Sequence, residues 1–460
     1  MVMSMPTLHR ELSLPYPSGQ VYAWHSRPGA FQRLVPPWQR VVLHSATGDF
    51  ANLRAELRMK LGPFYKTWLA QHGDHQPGRQ FVDVQQAGPF ARWSHQHRFE
   101  PQGPAAGSTL IDHVDYALPL APLSQWLVGR QVEATLEKMF SFRHERTRQD
   151  LERHALWQDY PRQRIAISGA SGLIGKQLCA YLTTAGHTVL QLVRRPSQDP
   201  LEVTWDPVAG TVDTAKLQGI DAVIHLAGEN VGEGRWTAER KPRLLQSRVD
   251  GTRTLAKAMA QLDPKPKVLI SASATGFYGD TGDAECTESS PTGTLYLSEI
   301  CREWEAAAEP ARQAGIRVVH PRIGAVVSAQ GGMLAKLLLP FKMGGGGPVG
   351  SGQQYLPWIA LEDVLGAMEW LLFRQDVQGP VNLVAPQQIR QVQFAQALGH
   401  ALRRPALLPL PAAAVRLLFG QMGEEVLLAG QRVQPQRLQD LGFPWLYPQI
   451  SQALAAELGV

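Results

Sequence analysis

The stretch Arg164-Ile-Ala-Ile-Ser-Gly-Ala-Ser-Gly-Leu-Ile-Gly175 decides the fold of this chain, because it joins an apolar strand to a glycine-rich turn and a helix. That order of elements begins a dinucleotide-binding βαβ unit. Gly169 permits a tight turn, Gly172 lets the backbone approach a pyrophosphate, and Gly175 lets helix and strand pack closely. The helix then offers unpaired N–H groups and the positive end of its dipole to the phosphates. A glycine triplet alone also occurs in plain turns, but these flanks predict a nucleotide-binding loop.

Apolar runs after this loop have the composition of buried parallel strands. Helical patterns separate them, for example over Ser247–Met259 and Ile300–Ala314. Strands that alternate with helices predict an α/β fold, a doubly wound parallel sheet of the Rossmann type with ligands at the carboxyl ends of its strands. The runs are Asp221–Gly228, Lys267–Ser273 and Arg317–Gly324.

The strand predicted over Thr188–Val193 ends in Arg194 and Arg195. An NAD site usually has a carboxylate here to hold the ribose 2′-hydroxyl. Two guanidinium groups instead match a 2′-phosphate in charge and fork geometry. The position therefore favours NADP(H) as cofactor, with NAD(H) still open. The alternative is that both arginines are simply exposed at a strand end.

Composition limits the classes of protein that this chain can belong to. Its 460 residues, at about 100–200 residues per domain, predict two or three domains. A net charge of +5 on scattered lysines and arginines gives no support for a nucleic-acid partner. The cysteines, Cys179, Cys286 and Cys301, are too dispersed for a disulfide framework or a zinc site. With no signal-peptide pattern and no apolar run of membrane length, we expect a cytoplasmic protein.

Residues 1–155 have no glycine fingerprint and contain several period-two stretches. Arg54–Leu61 and Phe81–Gln85 alternate polar and apolar residues, and Ala91–Glu100 is interpreted as an exposed-edge strand. Trp126–Leu151 instead has helical spacing of apolar residues in a long amphipathic segment. Antiparallel strands followed by one long helix predict an α+β helix-grip domain.

Two segments of this region, Phe81–Glu100 and Met139–His144, resemble a polyketide-cyclase or START-like (SRPBCC) domain. The resemblance implies a curved sheet around the long helix, with an apolar cavity that either binds a hydrophobic ligand or is packed shut. His95 and His97 share one strand face, a spacing that could hold a metal. The sequence offers no third ligand nearby, so we expect solvated or hydrogen-bonded histidines and no metal site.

The region from Arg164 to Val460 resembles the extended short-chain dehydrogenase/reductase (SDR) superfamily, in particular its atypical, epimerase-family or YfcH-like branch. Its last part, 404–460, resembles the small C-terminal DUF1731-like domain of that branch and is expected to complete the substrate cleft. The resemblance implies domains at 1–155, 163–403 and 404–460. The motifs that carry it are Ile167–Gly175, His225–Asn230, Arg235–Trp236, Ser247–Arg253, Ser271–Asp280, Cys301–Glu305, Gly350–Ile359 and Leu427–Pro435.

In catalytic members of that superfamily a serine, and a tyrosine four residues before a lysine, polarise a carbonyl and relay a proton. Ser273 matches the serine, at the end of its strand. The tyrosine and lysine have no match, because the two registers give either Leu297 with Cys301 or Tyr296 with Ile300. Hydride transfer needs mainly a positioned nicotinamide and acceptor, so chemistry remains possible without the usual proton donor.

Other side chains are candidates by their expected nearness to the cleft. Arg248 replaces the asparagine that in this family often precedes the Val-x-Gly-Thr motif. Cys301 lies on an apolar helix face, which is also compatible with a position in the core. Our hypothesis is that Ser273 and either Tyr296 or Tyr278 contact the substrate. The candidates are Ser273, Tyr278, Tyr296, Glu229, Arg248 and Cys301. The residues expected to contact the cofactor are Gly169, Ser171, Gly172, Leu173, Ile174, Gly175, Arg194, Arg195, Leu226, Ala227 and Gly228.

A second glycine-rich stretch, Gly344–Gly352, lacks the Lys-Ser or Lys-Thr pair of a phosphate loop and is interpreted as a mobile lid. Near the end of the chain, Gln431 and Arg432 either reach the substrate or lie on the surface.

Three functions are compatible with these patterns. The first is an NADP(H)-binding oxidoreductase or epimerase-like enzyme that acts on a small-molecule carbonyl or sugar-type substrate, fused to a domain for a hydrophobic ligand. The second is a sensor or scaffold that binds NADP without turnover, as the missing tyrosine–lysine pair suggests. The third is a lipid- or polyketide-type ligand carrier.

Overall fold

The computed structural model describes residues 6–62, 64–103, 107–121 and 123–460. The chain divides into two compact units, one comprising 1–159 with 183–186 and 459, and the other comprising the remainder. A separate domain from residue 404 onwards stays a prediction. Within the described ranges no helix has the length and apolar character needed to cross a membrane.

The N-terminal unit is one seven-stranded sheet packed against helices, as the helix-grip prediction required. Its strands are antiparallel in the spatial order β1-β7-β6-β5-β4-β3-β2. The strands are β1 (Thr7–Leu14), β2 (Val41–Thr47), β3 (Arg54–Leu61), β4 (Phe64–Gln76), β5 (Gln80–Ala87), β6 (Arg92–Pro101) and β7 (Ser108–Ala117), and the helices are α1 (Ser18–Ser26), α2 (Ala30–Leu34) and α3 (Leu123–Ala155).

Strand β6 lies between β5 and β7, so its interpretation as an exposed edge was wrong. Alternate side chains of β6 are buried: Trp93, His95, His97 and Phe99. Two histidines on that face gave the strand a polar appearance in the sequence, whereas in the fold they point into the unit. The polar residues therefore led to a wrong position for this strand in the sheet, although its period-two pattern was interpreted correctly.

Aromatic side chains pack between this sheet and its helices. One cluster joins Trp24 of α1 to Phe81 and Phe99 of the sheet, and a second joins Trp93 to Phe140 of α3. All five rings are at most 4% exposed. These clusters join the sheet to α1 and α3, and whether a cavity remains between them stays a prediction.

The second unit contains a nine-stranded sheet in the order β11-β10-β9-β8-β12-β13-β16-β14, with β20 paired to β16. Every pairing is parallel except that of β10 with β11. The order reverses between β8 and β12, which is where doubly wound folds bind ligands. The strands of this sheet are β8 (Arg164–Ser168), β9 (Thr188–Val193), β10 (Glu202–Asp206), β11 (Thr211–Val212), β12 (Ala222–His225), β13 (Val268–Ser271), β14 (Ser273–Ala274), β16 (Arg317–Ile323) and β20 (Gly379–Leu383).

Helices and short strand pairs complete the second unit. The short strands are β15 (Glu285–Cys286), β17 (Ala325–Val327), β18 (Tyr355–Leu356), β19 (Trp358–Ala360), β21 (Ile389–Arg390) and β22 (Arg432–Val433). The helices are α4 (Leu173–Thr184), α5 (Thr214–Leu217), α6 (Arg240–Gln261), α7 (Tyr296–Ala306), α8 (Glu309–Gln313), α9 (Gly332–Lys342), α10 (Leu361–Phe373), α11 (Gln391–Leu402), α12 (Ala412–Phe419), α13 (Gln436–Asp440) and α14 (Ile450–Leu458).

The helix predicted over Ile300–Ala314 is two helices, α7 and α8. Pro310 lies in the first turn of α8, a position that proline favours because the N–H it lacks would have no helical partner there. The proline therefore starts a new helix where the apolar spacing alone predicted a continuous one.

The ion pair between Arg33 of α2 and Asp150 of α3 yields a test of this packing. Its atoms lie 2.8 Å (Nε–Oδ2) and 2.7 Å (Nη2–Oδ1) apart, and the two side chains are 1% and 2% exposed. Asp150→Ala removes the carboxylate from a buried guanidinium, so we expect the opening free energy of α3 to fall by about 3–5 kcal/mol. Hydrogen–deuterium exchange of α3 peptides measures it.

Glu152 provides the matched control on the same helix, because its pair with Arg148 is exposed. Glu152→Ala should change the opening free energy by less than about 1 kcal/mol. Equal effects of the two substitutions would contradict the importance assigned to the buried pair.

Candidate nucleotide-binding site

The glycine loop follows β8 and turns directly into α4. Gly169 has a φ of +72°, the left-handed region that glycine adopts at no steric cost. The Gly172 N–H donates to the Gly169 carbonyl at 2.9 Å, which closes the turn. A Cβ on Gly175 would lie 2.1 Å from the Gly169 oxygen, and one on Gly169 would lie 2.9 Å from the Ala227 nitrogen. Gly169 and Gly175 thus have the roles that the sequence predicted, close packing around a tight turn.

The exposed residues of this loop are Ser171 and Gly172, while Leu173 and Ile174 are half-buried at the start of α4. The N-terminus of α4 therefore opens at the carboxyl edge of the sheet, where a helix offers unpaired N–H groups and the positive end of its dipole.

Residues Leu226, Ala227 and Gly228 follow β12 and lie beside the glycine loop. Ser168, the last residue of β8, accepts hydrogen bonds on Oγ from the Leu226 N–H at 3.2 Å and the Ala227 N–H at 3.3 Å. The same Oγ lies 2.6 Å from Nδ1 of His225, whose pKa burial and Arg248 lower to about 3. The imidazole is therefore neutral at pH 7, and this contact joins the two strand ends at the switch point.

Arg194 and Arg195 follow the end of β9, and both are exposed. Arg195 Nη2 contacts Glu202 Oε1 at 2.7 Å, yet the Arg195 side chain stays 64% exposed. The structure thus distinguishes two arginines that the sequence treated alike, since one of them has a carboxylate beside it.

Ser273, the matched serine, lies in a buried polar network. Its Oγ donates to Glu305 Oε1 at 2.7 Å, and Arg322 contacts both Glu305 oxygens at 2.8 and 2.9 Å. Arg322 also donates to the Tyr278 hydroxyl at 3.0 Å, which in turn donates to Asn382 Oδ1 at 2.6 Å. Ser273 and Tyr278 are only 2% and 3% exposed, and burial raises the pKa of Tyr278 to about 12. Both hydroxyls are therefore engaged inside the protein.

Tyr296 begins α7 and is half-buried. Its hydroxyl donates to the Lys241 carbonyl at 2.6 Å, and the Lys241 ammonium lies 4.4 Å from its ring centroid. A lysine from α6 thus lies beside a tyrosine that lacks the usual lysine one turn later. Burial, with the charges of Glu299 and Glu425, raises the pKa of Tyr296, so its hydroxyl is protonated at neutral pH.

Arg248 is buried and fastens the loop after β12 to α6. Its guanidinium donates to the carbonyls of Glu229 and Leu244, each at 2.9 Å, and lies 5.0 Å from the Trp304 ring centroid. The Glu229 carboxylate contacts Arg240 at 3.2 Å. Through these contacts Arg248 and Glu229 hold the loop after β12 against α6.

Cys301 is a core residue, as its apolar helix face suggested. It is 2% exposed and its Sγ donates to the Ala274 carbonyl at 3.6 Å. Burial raises the pKa of its thiol to about 11, which leaves it un-ionised and unreactive at neutral pH.

The C-terminal segment packs beside Tyr296. Phe419 and Met422 belong to one apolar cluster with Trp236 and Tyr296, and Glu425 accepts the Leu297 N–H at 2.9 Å. The segment thus contacts the start of α7.

The two C-terminal residues proposed from the sequence lie elsewhere. Gln431 and Arg432 line a shallow pocket with Tyr355. Arg432 contacts Gln388 at 2.8 Å and Glu285 at 2.8 Å, so its charge is already compensated there.

The stretch Gly344–Gly352 is hydrogen-bonded to a neighbouring segment of the chain. Main-chain hydrogen bonds link Gly346, Pro348 and Gly350 to the segment Leu408–Leu410 at 2.8–3.1 Å. The mobile-lid interpretation stays a prediction, and the structure adds the backbone contacts that opening would break.

His95 and His97 of the N-terminal unit are buried and contact carboxylates. Asp83 and Asp112 come from the neighbouring strands, and the ligand atoms of Asp83, His95 and His97 lie within 4.8 Å of one another. The expectation that no third ligand lies nearby was therefore wrong. Strand pairing supplies one from 12 residues earlier in the chain, which sequence spacing cannot reveal.

Sequence reasoning missed Glu305, Arg322, Asn382 and Lys241. In the sequence, Glu305 stands out only as part of a family motif. The spacing of the other three residues gives no indication of a site. Each is close to its partner because of strand order or helix packing, so only the fold brings them together.

A doubly wound parallel sheet with a glycine-rich loop at its switch point defines a dinucleotide-binding protein of the Rossmann type. Residues 165–384 match the NAD dependent epimerase/dehydratase family, residues 410–457 match a domain of unknown function (DUF1731), and residues 14–142 match the family described as polyketide cyclase/dehydrase and lipid transport.

Relatives extend this result along the chain. An epimerase family protein of Mycobacterium bovis is 42% identical over 290 residues, 63% of this chain and 96% of that protein. The chain belongs to this epimerase family. A crystal structure titled nucleoside-diphosphate sugar epimerase from Corynebacterium glutamicum is 31% identical, with a TM-score of 0.81, 98% of this chain covered and 90% of that one.

A crystal structure of human epimerase family protein SDR39U1, isoform 2, contains NADPH. It is 35% identical, with a TM-score of 0.60, and the match covers 64% of this chain and 99% of that one. The fold class inferred from resemblance is thus confirmed.

Gly175 yields a test of the loop geometry. In Gly175→Ala the new Cβ would meet the Gly169 carbonyl oxygen at 2.1 Å, so loop and helix must separate. We expect the affinity for NADPH, measured by fluorescence titration, to fall by at least about 10-fold. Gly345→Ala is the control, since its nearest atom would be the Pro340 oxygen at 3.5 Å. Unchanged NADPH affinity in Gly175→Ala would contradict the assigned role.

Proposed function

We propose that this chain is an NADP(H)-dependent oxidoreductase or epimerase-like enzyme that acts on a small-molecule carbonyl or sugar-type substrate. The observation that carries the proposal is the open N-terminus of α4 behind the glycine loop, with Arg194 and Arg195 exposed at the end of the neighbouring strand β9. The name of the Corynebacterium glutamicum structure supports a sugar-type substrate.

Preference for NADP(H) over NAD(H) rests on charge. A ribose 2′-phosphate carries up to two negative charges, and two arginines at the end of β9 attract it where the usual carboxylate would repel it. The NADPH found in the human relative supports the same preference.

The chemistry divides between cofactor and chain. The nicotinamide, when bound, supplies or accepts a hydride. Tyr296 is the best-placed proton donor among the candidate hydroxyls, because its side chain is only half-buried and the Lys241 ammonium lies 4.4 Å from its ring centroid. Ser273 donates to Glu305 and holds the end of its strand beneath the cleft. Tyr278 donates to Asn382 and also has a structural role.

The C-terminal segment would complete the substrate cleft. Phe419 and Met422 pack with Tyr296 and Trp236, so they form an apolar wall beside the proposed proton donor. This arrangement supports a domain at 404–460 that shapes the substrate site and keeps water from it.

A second function, an NADP-binding sensor or scaffold, is favoured by one specific observation. Ser273, which matches the family's serine, and the candidate Tyr278 are both buried and both donate to other side chains. Hydroxyls that are engaged within the protein favour cofactor binding without turnover. The carrier function has less support, because aromatic side chains of the sheet pack against those of α1 and α3 in the N-terminal unit.

The cofactor preference is tested by titration with NADPH and NADH. Arg194→Ala and Arg195→Ala should each weaken NADPH binding by about 10-fold or more, the value of one charge-assisted hydrogen bond, and leave NADH within about twofold. Arg253→Ala is the control, an arginine 49% exposed on α6. Equal losses for NADH and NADPH would show that these arginines do not read a 2′-phosphate.

Turnover is tested by stopped-flow absorbance with a panel of carbonyl and sugar-nucleotide substrates. Tyr296→Phe should lower kcat by about 100-fold, the usual contribution of a proton donor, with NADPH affinity unchanged. Ser273→Ala should affect stability more than kcat. NADPH oxidation that is unaltered in Tyr296→Phe would remove the proposed donor, and tight binding with no oxidation of any substrate would establish the sensor.

A further inference from the structure

A cluster of imidazole and carboxylate side chains lies inside the N-terminal unit, where the nucleotide site has no part. Strand pairing places Asp83 of β5 opposite His95 of β6, and His97 of β6 opposite Asp112 of β7. His144 of α3 reaches the same point. Four elements thus direct metal-ligating side-chain types to one place in an otherwise aromatic interior.

The distances within the cluster are those of converging ligands. His95 Nε2 lies 2.9 Å from Asp112 Oδ1, His144 Nε2 lies 2.7 Å from Asp112 Oδ2, and His97 Nε2 lies 3.3 Å from Asp83 Oδ2. One ligand atom each from Asp83, His95 and His97 lie within 4.8 Å of one another. Zinc bonds of about 2.0–2.2 Å need ligand atoms roughly 3.5 Å apart, so small side-chain rotations are sufficient.

Two further ring nitrogens lie close to carboxylate oxygens. His97 Nδ1 lies 2.8 Å from Asp112 Oδ1, but outside hydrogen-bonding geometry, and has no hydrogen-bond partner among the residues described. His72 donates through Nδ1 to the Phe50 carbonyl at 2.7 Å, while its Nε2 lies 2.9 Å from Asp83 Oδ1. Imidazole nitrogens and carboxylate oxygens from neighbouring strands therefore converge here, as the ligands of a metal ion do.

We propose that Asp83, His95 and His97 bind a divalent transition-metal ion of the zinc class. Two imidazoles and one carboxylate are ligands that such ions prefer, and three protein ligands leave at least one coordination position for water or a small molecule. Asp112 contacts a ring nitrogen of each histidine in the cluster, as carboxylates that position ligating imidazoles do. The Asp83 side chain keeps 28% of its surface exposed, which provides the ion with a route of entry.

The test uses the untagged full chain, stripped with a chelator and then titrated with Zn²⁺ and Co²⁺. We expect one Zn²⁺ per chain by elemental analysis, a dissociation constant below about 1 µM by calorimetry, and visible d–d absorption bands with Co²⁺. The absence of stoichiometric Zn²⁺ and of Co²⁺ bands in the wild-type chain would overturn the proposal without any variant.

Variants then assign the ligands. The double variant His95→Gln with His97→Gln, and separately the near-isosteric Asp83→Asn, should weaken Zn²⁺ binding by about 100-fold or more, with the circular dichroism spectrum showing whether each remains folded. His113→Gln is the matched control, a histidine of β7 whose side chain is 36% exposed and pairs with Asp115. Folded variants that bind Zn²⁺ like the wild type would place the ion elsewhere and overturn the assignment.

Discussion

The close contact between Gly175 and Gly169 is the constraint on which the nucleotide site depends. With no Cβ on either residue, α4 begins against the end of β8 and its N-terminus opens at the switch point of the sheet. Parallel pairing on both sides of β8 then places the end of β9, with its arginines, on one flank and the end of β12 on the other. A side chain at Gly175 would separate helix from strand and misplace all of these groups together.

Buried polar groups fix the positions of the elements around that site. Arg322 on β16 contacts Glu305 on α7 and the Tyr278 hydroxyl, so one guanidinium links a sheet strand, a helix and the turn that follows β14. Such a charge is tolerated in the interior only while its partners stay in place. The network that includes Ser273 therefore engages in holding the fold a hydroxyl whose position resembles that of the family's serine, and it leaves Tyr296, at the start of α7, as the proton donor that we propose.

The N-terminal unit follows a different rule. Its aromatic clusters resemble an ordinary core, yet β5, β6 and β7 each direct a charged or imidazole side chain into it. The antiparallel register makes this possible, since residues distant in sequence, such as Asp83 and His97, become neighbours on one face. Residues 14–142 match a family described as polyketide cyclase/dehydrase and lipid transport. In this chain, that unit has a polar centre inside an aromatic interior.

The sequence by itself determined the features that depend on near neighbours. The glycine loop, the period-two strands, the long helix α3 and the arginines after β9 are read within a few residues, because backbone conformation and helix or strand periodicity are local properties. It did not determine that β6 is a central strand, that Pro310 divides a helix, or that Asp83 reaches His97. Those depend on which strands pair and in what register. Burial then decides whether a hydroxyl such as that of Ser273 is free or engaged, and burial is a property of the whole fold.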